Sequence, residues 1–261
     1  MIKKEQLSHW QGQMAIGLGY GYFCGQAGDN RPHRHLAHQI TFPLDPLQSM
    51  QIIGYEQLHT GMGFFIPANT VHQLQKGKYC SIYLDGTYYL GQAIHQFFAS
   101  TSQIQILPTT LLEQLRLYFL HTNNITKAFA QLQCYFDCMV ASERAQLMNG
   151  YIYQHLLYNY VPSRQELAAL HHLSESRLAH WFNSHFGISL RSYRKWLRLI
   201  IALKNLHEEN NLTAAAYQSG FTDQAHFSRT CMQMFGIQPS AVKNIQNKMI
   251  LLPESSVNSL F

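Results

Sequence analysis

The 261-residue sequence predicts a two-domain α+β chain: a β-sandwich head with a helical dimerisation segment, then an all-α tail with two helix-turn-helix units. Three observations carry that prediction. Residues 14–85 alternate short β-rich runs with turn residues, the spacing of a sandwich or small barrel. From about residue 86 the apolar period changes to three and four, which is the period of helices. Near the C-terminus one helix-turn-helix pattern occurs twice, ending at Phe186-Gly187-Ile188 and again 49 residues later at Phe235-Gly236-Ile237.

In chain order, strands are expected at residues 17–23, 39–42, 49–55, 63–67 and 79–84, each rich in aromatic or β-branched residues. Two amphipathic helices follow. Leu111, Leu112, Leu115, Tyr118 and Phe119 mark the first, at 111–121, and Ala128, Leu132, Tyr135, Phe136 and Met139 mark the second, at 125–140. Asn124 or Thr126 is expected to cap the second helix. Cys134 and Cys138, one turn apart on it, have no basic neighbour and read as small apolar fillers. A further helix is expected at about 143–159, and Pro162-Ser163 opens the next.

The first repeated unit runs from Arg164, with Ala168 at the helix crossing and Ser174 as N-cap of its second helix. The second runs from Leu212, with Ala216 and Thr222 in the corresponding positions. The small alanines let the paired axes approach, and Leu178 and Phe182, like Phe227 and Cys231, turn inward by their spacing. A helix over Leu190–Leu206 links the units rigidly. The expected division is 1–142 for the head, 143–250 for the tail and 251–261 for a loose end.

Composition bounds the function. Apolar residues make up 46% and aromatics 13%, which argues for packed cores and against disorder. No apolar run reaches the roughly 18 residues of a membrane span, and no signal-peptide core is seen. Five cysteines without a CxxC pair fit a reduced, cytoplasmic setting. Residues 164–248 hold ten Lys and Arg against five Asp and Glu, whereas the remainder holds nine of each. The polyanion partner is therefore expected on the tail alone. That excess is modest, so the inference of double-stranded DNA rests on the repeated motif. No nucleophile elbow, phosphate loop or dinucleotide fingerprint occurs, so no enzyme and no cofactor are expected.

The stretch from about 143 to 248 resembles the DNA-binding domain of AraC/XylS-type transcription regulators, most closely over Gly220–Ser240. His180 stands where the first unit of such proteins often has Arg, Cys231 where the second often has Phe, and Leu190 where Pro is frequent. The head resembles the cupin-like sensor of that family, through Pro32-His33-Arg34-His35 with Gln39-Ile40, and Gly61 to His72. The resemblance implies a regulator that senses a small-molecule effector, dimerises through the 111–121 and 125–140 helices and binds DNA, with RNA polymerase left open as a partner and no membrane.

The candidate site residues follow. Ser176, Arg177 and His180 in the first reading helix, and Gln224, His226 and Arg229 in the second, should face the groove, with Lys195 and Arg198 on phosphates. In the head, His33, His35, Gln39, His72, Phe42 and Tyr83 are the expected effector-binding set. Two readings stay open beside it: histidines hydrogen-bonded in a sandwich interior, and a metal centre in a cupin enzyme or metal sensor, with Gln39 a poor ligand in the carboxylate position.

Overall fold

A computed structural model describes residues 10–17, 19–28, 30–120, 124–136, 142–209 and 211–242. Among these residues nine strands build the head: β1 (Gln11–Ile16), β2 (Tyr20–Ala27), β3 (Ala37–Pro43), β4 (Met50–Gly54), β5 (Gln57–Gly61), β6 (Phe64–Ile66), β7 (His72–Leu74), β8 (Gly77–Asp85) and β9 (Gln105–Ile106). They form a six-stranded sheet in the order β1-β2-β8-β3-β6-β9 and a three-stranded sheet, β5-β4-β7. Neither sheet closes into a barrel. Strands β1, β5, β7 and β9 lie outside the expected runs; most are short or polar, with burial patterns too mixed to signal a strand.

Side-chain alternation along β3 decides what each face does. Ile40 and Phe42 join Cys80 and Ile82 on the face covered by α1 (Tyr89–Phe97), α2 (Thr109–Leu120) and α3 (Ile125–Tyr135). Gln39 turns the other way and meets His72 on the three-stranded sheet, with Thr41 and Ser81 hydrogen-bonded beside it. Asn124 caps α3 by accepting from Lys127 N, while residues 137–140 of the expected 125–140 helix, Cys138 included, fall outside the described residues.

The tail comprises α4 (Glu143–Leu156), α5 (Arg164–Leu170), α6 (Glu175–Phe186), α7 (Leu190–Glu209), α8 (Leu212–Gln218), α9 (Gln224–Phe235) and a 3-10 turn at Pro239–Val242. Ser163 and Glu166 form a reciprocal capping box on α5, which satisfies two orphan amide donors. Ser174 caps α6 as expected. The cap of α9 is Asp223, not Thr222: its carboxylate accepts from His226 N at 2.6 Å, and an ionised acceptor at the positive helix end outcompetes a hydroxyl. Thr222 bonds the His226 ring instead. Ala168 and Ala216 are buried at the two crossings, and Phe182 and Phe227 fill the units beneath them. The expected loose end at 251–261 lies outside the described residues.

Head and tail share one apolar core. Phe23, Ile52 and Ile66 of the head belong to the same buried cluster as Trp196, Leu203 and Cys231 of the tail. Backbone bonds stitch the seam: Arg31 N donates to Gly236 O at 2.9 Å, and Arg34 N donates to Gln233 O at 3.3 Å.

Candidate functional site

A cavity of about 80 Å³ opens on this seam. Its head wall comes from β1 and β2, with Trp10, Met14 and Tyr20, and from Asn30, His33, Tyr83 and Asp85. Its tail wall comes from Trp196, Ile200 and Leu203 of α7, with Phe235 and Ile237 at the end of α9. The wall is mostly apolar and aromatic. Among the described residues it holds no Lys or Arg, and Asp85 is its only carboxylate.

Asp85 binds the domains together. Its Oδ1 accepts from Thr87 N and from the Thr87 hydroxyl, both at 2.8 Å, and that hydroxyl lies 3.0 Å from the Tyr193 OH. The Trp196 indole and Tyr193 phenol of α7 stand near the carboxylate and favour its charged form. Burial pushes its pKa up to about 6, against the opposing pull of these donors. Asn149 of α4 donates to Thr87 O at 3.0 Å, which adds a second tail helix to the clasp.

Among the described residues two donors in the wall have no acceptor: Trp10 Nε1 and Asn30 Nδ2 are buried without a hydrogen-bond partner there. The Asn30 amide is not free to turn over, because its Oδ1 already accepts from Leu74 N at 3.2 Å. Unpaired buried donors cost about 1–3 kcal/mol each, so an occupant offering oxygen acceptors relieves a standing penalty.

Behind the cavity lies the histidine cluster. His33 and His72 form a two-residue antiparallel bridge with backbone bonds of 3.0 and 2.9 Å, and the ligand atoms of His33, His35 and His72 lie within 4.8 Å of one another. Each Nδ1 donates to a carbonyl: His33 to Arg31 O, His35 to Ala37 O and His72 to Thr70 O. Burial holds all three pKa values below the ordinary 6.5, His33 at about 3. The rings are therefore neutral at pH 7, and every Nε2 carries a lone pair. His35 Nε2 and His72 Nε2 both stand 3.0 Å from the Gln39 amide head, which also reaches Ser81 Oγ at 3.3 Å. Two lone pairs need a donor between them. An amide NH2 facing the imidazoles, with its oxygen accepting from Ser81, meets that need, since amide N and O exchange without geometric cost. A cation held by the three Nε2 atoms meets it too.

Of the six head residues picked from sequence, His33 and Tyr83 line the cavity, and His35, Gln39 and His72 stand together behind it. Phe42 does not join them. Three positions from Gln39 on a strand, it faces the helices, under the Arg116 guanidinium at 5.5 Å. Sequence reading missed Trp10, Asn30, Trp196 and Phe235, because the wall they form exists only once the domains dock.

On the tail, Ser176, Arg177 and His180 of α6 are exposed, as are Gln224 and Arg229 of α9, while His226 is half-buried against Phe221. Gln224 Oε1 accepts from the Thr213 hydroxyl at 3.1 Å, which orients its amide NH2 outward. Arg198 packs by the turn at Gly220. Lys195 lies half-buried between α7 and α9 and donates to Gln233 Oε1 at 3.2 Å, so it ties the unit together before it can meet a phosphate.

Comparison with known proteins supplies the context. Residues 167–245 match the model of a helix-turn-helix domain. No curated protein matches the chain. The structure is similar to that of an apo ToxT point variant from Vibrio cholerae, at 8% identity and a TM-score of 0.56, covering 87% of this chain and 97% of that one. A ToxT structure from the same organism, described as bound to an unsaturated fatty acid, gives 10% identity and a TM-score of 0.49, covering 87% and 91%. A probable AraC family transcriptional regulator from Rhodopseudomonas palustris is 28% identical over 39% of this chain and 95% of its own, with a TM-score of 0.34. The chain thus carries a helix-turn-helix domain at 167–245 behind a β-rich N-terminal region, in a two-domain fold similar to that of ToxT.

Proposed function

We propose that the chain is a one-component transcription regulator whose head senses a small effector in the interdomain cavity and whose tail reads DNA. The observation that carries the reading is the shared wall: an occupant touches β1 and β2 on one side and α7 and α9 on the other. Any difference in its affinity for docked and undocked domains shifts that equilibrium, and with it the placement of α9. The wall chemistry favours an uncharged, apolar molecule with an oxygen acceptor for Trp10 and Asn30; a carboxylate ligand would meet Asp85 and no described cation. Residues 1–142 act as sensor and dimerisation domain through α2 and α3, and 143–250 as DNA-binding domain. Ser176, Arg177, His180, Gln224, His226 and Arg229 take the base contacts, and Arg198 with Lys195 the phosphates. A non-enzymatic, cytoplasmic role follows from this reading, and RNA polymerase stays open as a partner.

Thermal stability and DNA affinity of the full chain, measured with a long-chain alcohol and with the unsaturated fatty acid of equal length, test it. Stabilisation by the alcohol with a change in DNA affinity is expected. Indifference to both, together with unchanged DNA affinity in a cavity-filling Ile200→Trp variant, would sink the cavity reading.

The histidine cluster supports a second reading, in which a divalent ion on His33, His35 and His72 is the signal. Elemental analysis of the purified protein separates the two. One bound metal per chain favours the ion; none after incubation with zinc favours the Gln39 amide as the group that satisfies the rings.

A further inference from the structure

Cys24 and Cys80 are direct partners in the antiparallel pairing of β2 with β8. Directly opposed residues have Cα atoms about 4.5–5.5 Å apart, whichever kind of pair they occupy. A disulfide needs about 4.4–6.8 Å. Both side chains leave the sheet on the face beneath α2, and the two thiols are within hydrogen-bond reach of each other.

The surroundings suit a reactive sulfur. Cys24 is half-buried and reachable, whereas Cys80 is fully buried. Arg116 of α2 brings its guanidinium beside Cys80, and its Nη1 and Nη2 are buried without a hydrogen-bond partner among the described residues. Tyr22, two residues before Cys24 on β2, shares its face and donates its hydroxyl to Phe119 O, and Asp45 is the other charge facing Arg116. The hydrogen bond from Cys80 draws the Cys24 thiol down to about 7, and burial pushes Cys80 up.

We propose that Cys24 and Cys80 are a redox-active dithiol that hydrogen peroxide converts to a disulfide beneath α2. The Cys24 thiolate attacks one peroxide oxygen, the O–O bond breaks, and the departing hydroxide takes up a proton to become water. Cys24 is then a sulfenic acid. Cys80 sulfur attacks it, the S–OH bond breaks, and that hydroxide leaves as water with the Cys80 proton. Two thiols and one peroxide give one disulfide and two waters, with two electrons passing from sulfur to oxygen. The step consumes the Cys24 thiolate and ties its sulfur to Cys80, which lies beside Arg116 of α2, a helix that Tyr22 also holds through its bond to Phe119 O at 3.3 Å. The redox state of the pair thereby reaches the helix assigned above to dimerisation.

The test uses the reduced full chain, titrated with hydrogen peroxide, quenched by alkylation and digested without reductant. Mass spectrometry is expected to find the Cys24 and Cys80 peptides joined, two hydrogens lighter than their sum, and separated again by dithiothreitol. Iodoacetamide should label Cys24 with a half-maximal rate near pH 7. Cys80→Ser should leave Cys24 as a sulfenic acid trapped by dimedone. Because the wild-type crosslink requires no variant, misfolding of Cys80→Ser leaves the test intact. The proposal is overturned if peroxide oxidises exposed Cys134 while Cys24 and Cys80 stay unlinked, or if Cys24 labels only above pH 9.

Discussion

Replacing Gly236 by alanine separates helix capping from domain docking. Gly187 and Gly236 close α6 and α9 in the same left-handed conformation, with φ of 68° and 69°. An L side chain in that region costs roughly 1–2 kcal/mol. At Gly187 that is the whole cost, because an added Cβ meets nothing within 4 Å. At Gly236 the Cβ would stand 2.3 Å from the Arg31 carbonyl oxygen and 2.8 Å from His33 Nδ1. A backbone carbonyl cannot swing aside, so the seam has to part. The Arg31–Gly236 and Arg34–Gln233 bonds then go, at about 0.5–1.5 kcal/mol each. Gly236→Ala is therefore expected to lose about 2–5 kcal/mol, against about 1–2 for Gly187→Ala, when strain and both bonds are added. Urea unfolding followed by tryptophan fluorescence measures the loss, and limited proteolysis between residues 98 and 143 reports undocking. Equal losses for the two variants, with equal protease resistance, would refute the claim that α9 is docked through its cap.

Three further outcomes are expected. Arg177→Ala and Arg229→Ala should each cost roughly 1–3 kcal/mol on a cognate site and less on random DNA; equal losses on both would identify phosphate contacts. Acidification should destabilise the head: burial holds His33 and His38 at about 3 and lowers His35 and His72, so the unfolded chain protonates first and stability present above pH 6.5 is lost as pH falls. Asp85, raised to about 6 from 3.8, acts in the opposite sense between those values, so Asp85→Asn should steepen the loss between pH 7.5 and 5, and a flat melting profile over that range would contradict both assignments. Finally, His72→Ala should abolish the response of the full chain to effector, whereas the isolated residues 143–261, which lack the cluster, should still bind DNA; a variant that folds and still responds moves the sensing site away from the cluster.

What was legible in the sequence is what local pattern encodes. The repeated units were readable because inward residues, caps and closing glycines recur within each stretch of about twenty residues. Even there the α9 cap went to Asp223 over Thr222, since two adjacent cap-competent residues are separated only by which one reaches His226 N. Period two along β3 had enough information to send Phe42 away from Gln39, three positions earlier, yet the aromatic side chain invited the wrong face. Register was beyond reach. Nothing local in the sequence says that Cys24 opposes Cys80, or that the His33 backbone pairs with His72. The cavity was beyond it as well, because Trp10 and Phe235 become neighbours of one space only through docking.

The docking itself is asymmetric between the two reading units, and that asymmetry bears on regulation. The head's backbone bonds go to Gln233 and Gly236, at the C-terminal end of α9, and the cavity is walled by Phe235 and Ile237 just beyond. Helix α6 ends at Gly187 with open space around the cap. Helix α7 runs between the units and contributes Trp196 to both the Asp85 clasp and the cavity wall. A change in the cavity therefore acts directly on α9 and on the helix that fixes its distance from α6, while α6 feels it through intervening helices, α7 and, by way of Arg144 over Trp181, α4. The second unit is accordingly the one whose register on DNA should respond to effector. Footprinting with and without ligand is expected to alter protection at the α9 half of the site and leave the α6 half constant. Equal changes in both halves would mean that the tail moves as one body, and the seam would then set affinity without setting spacing.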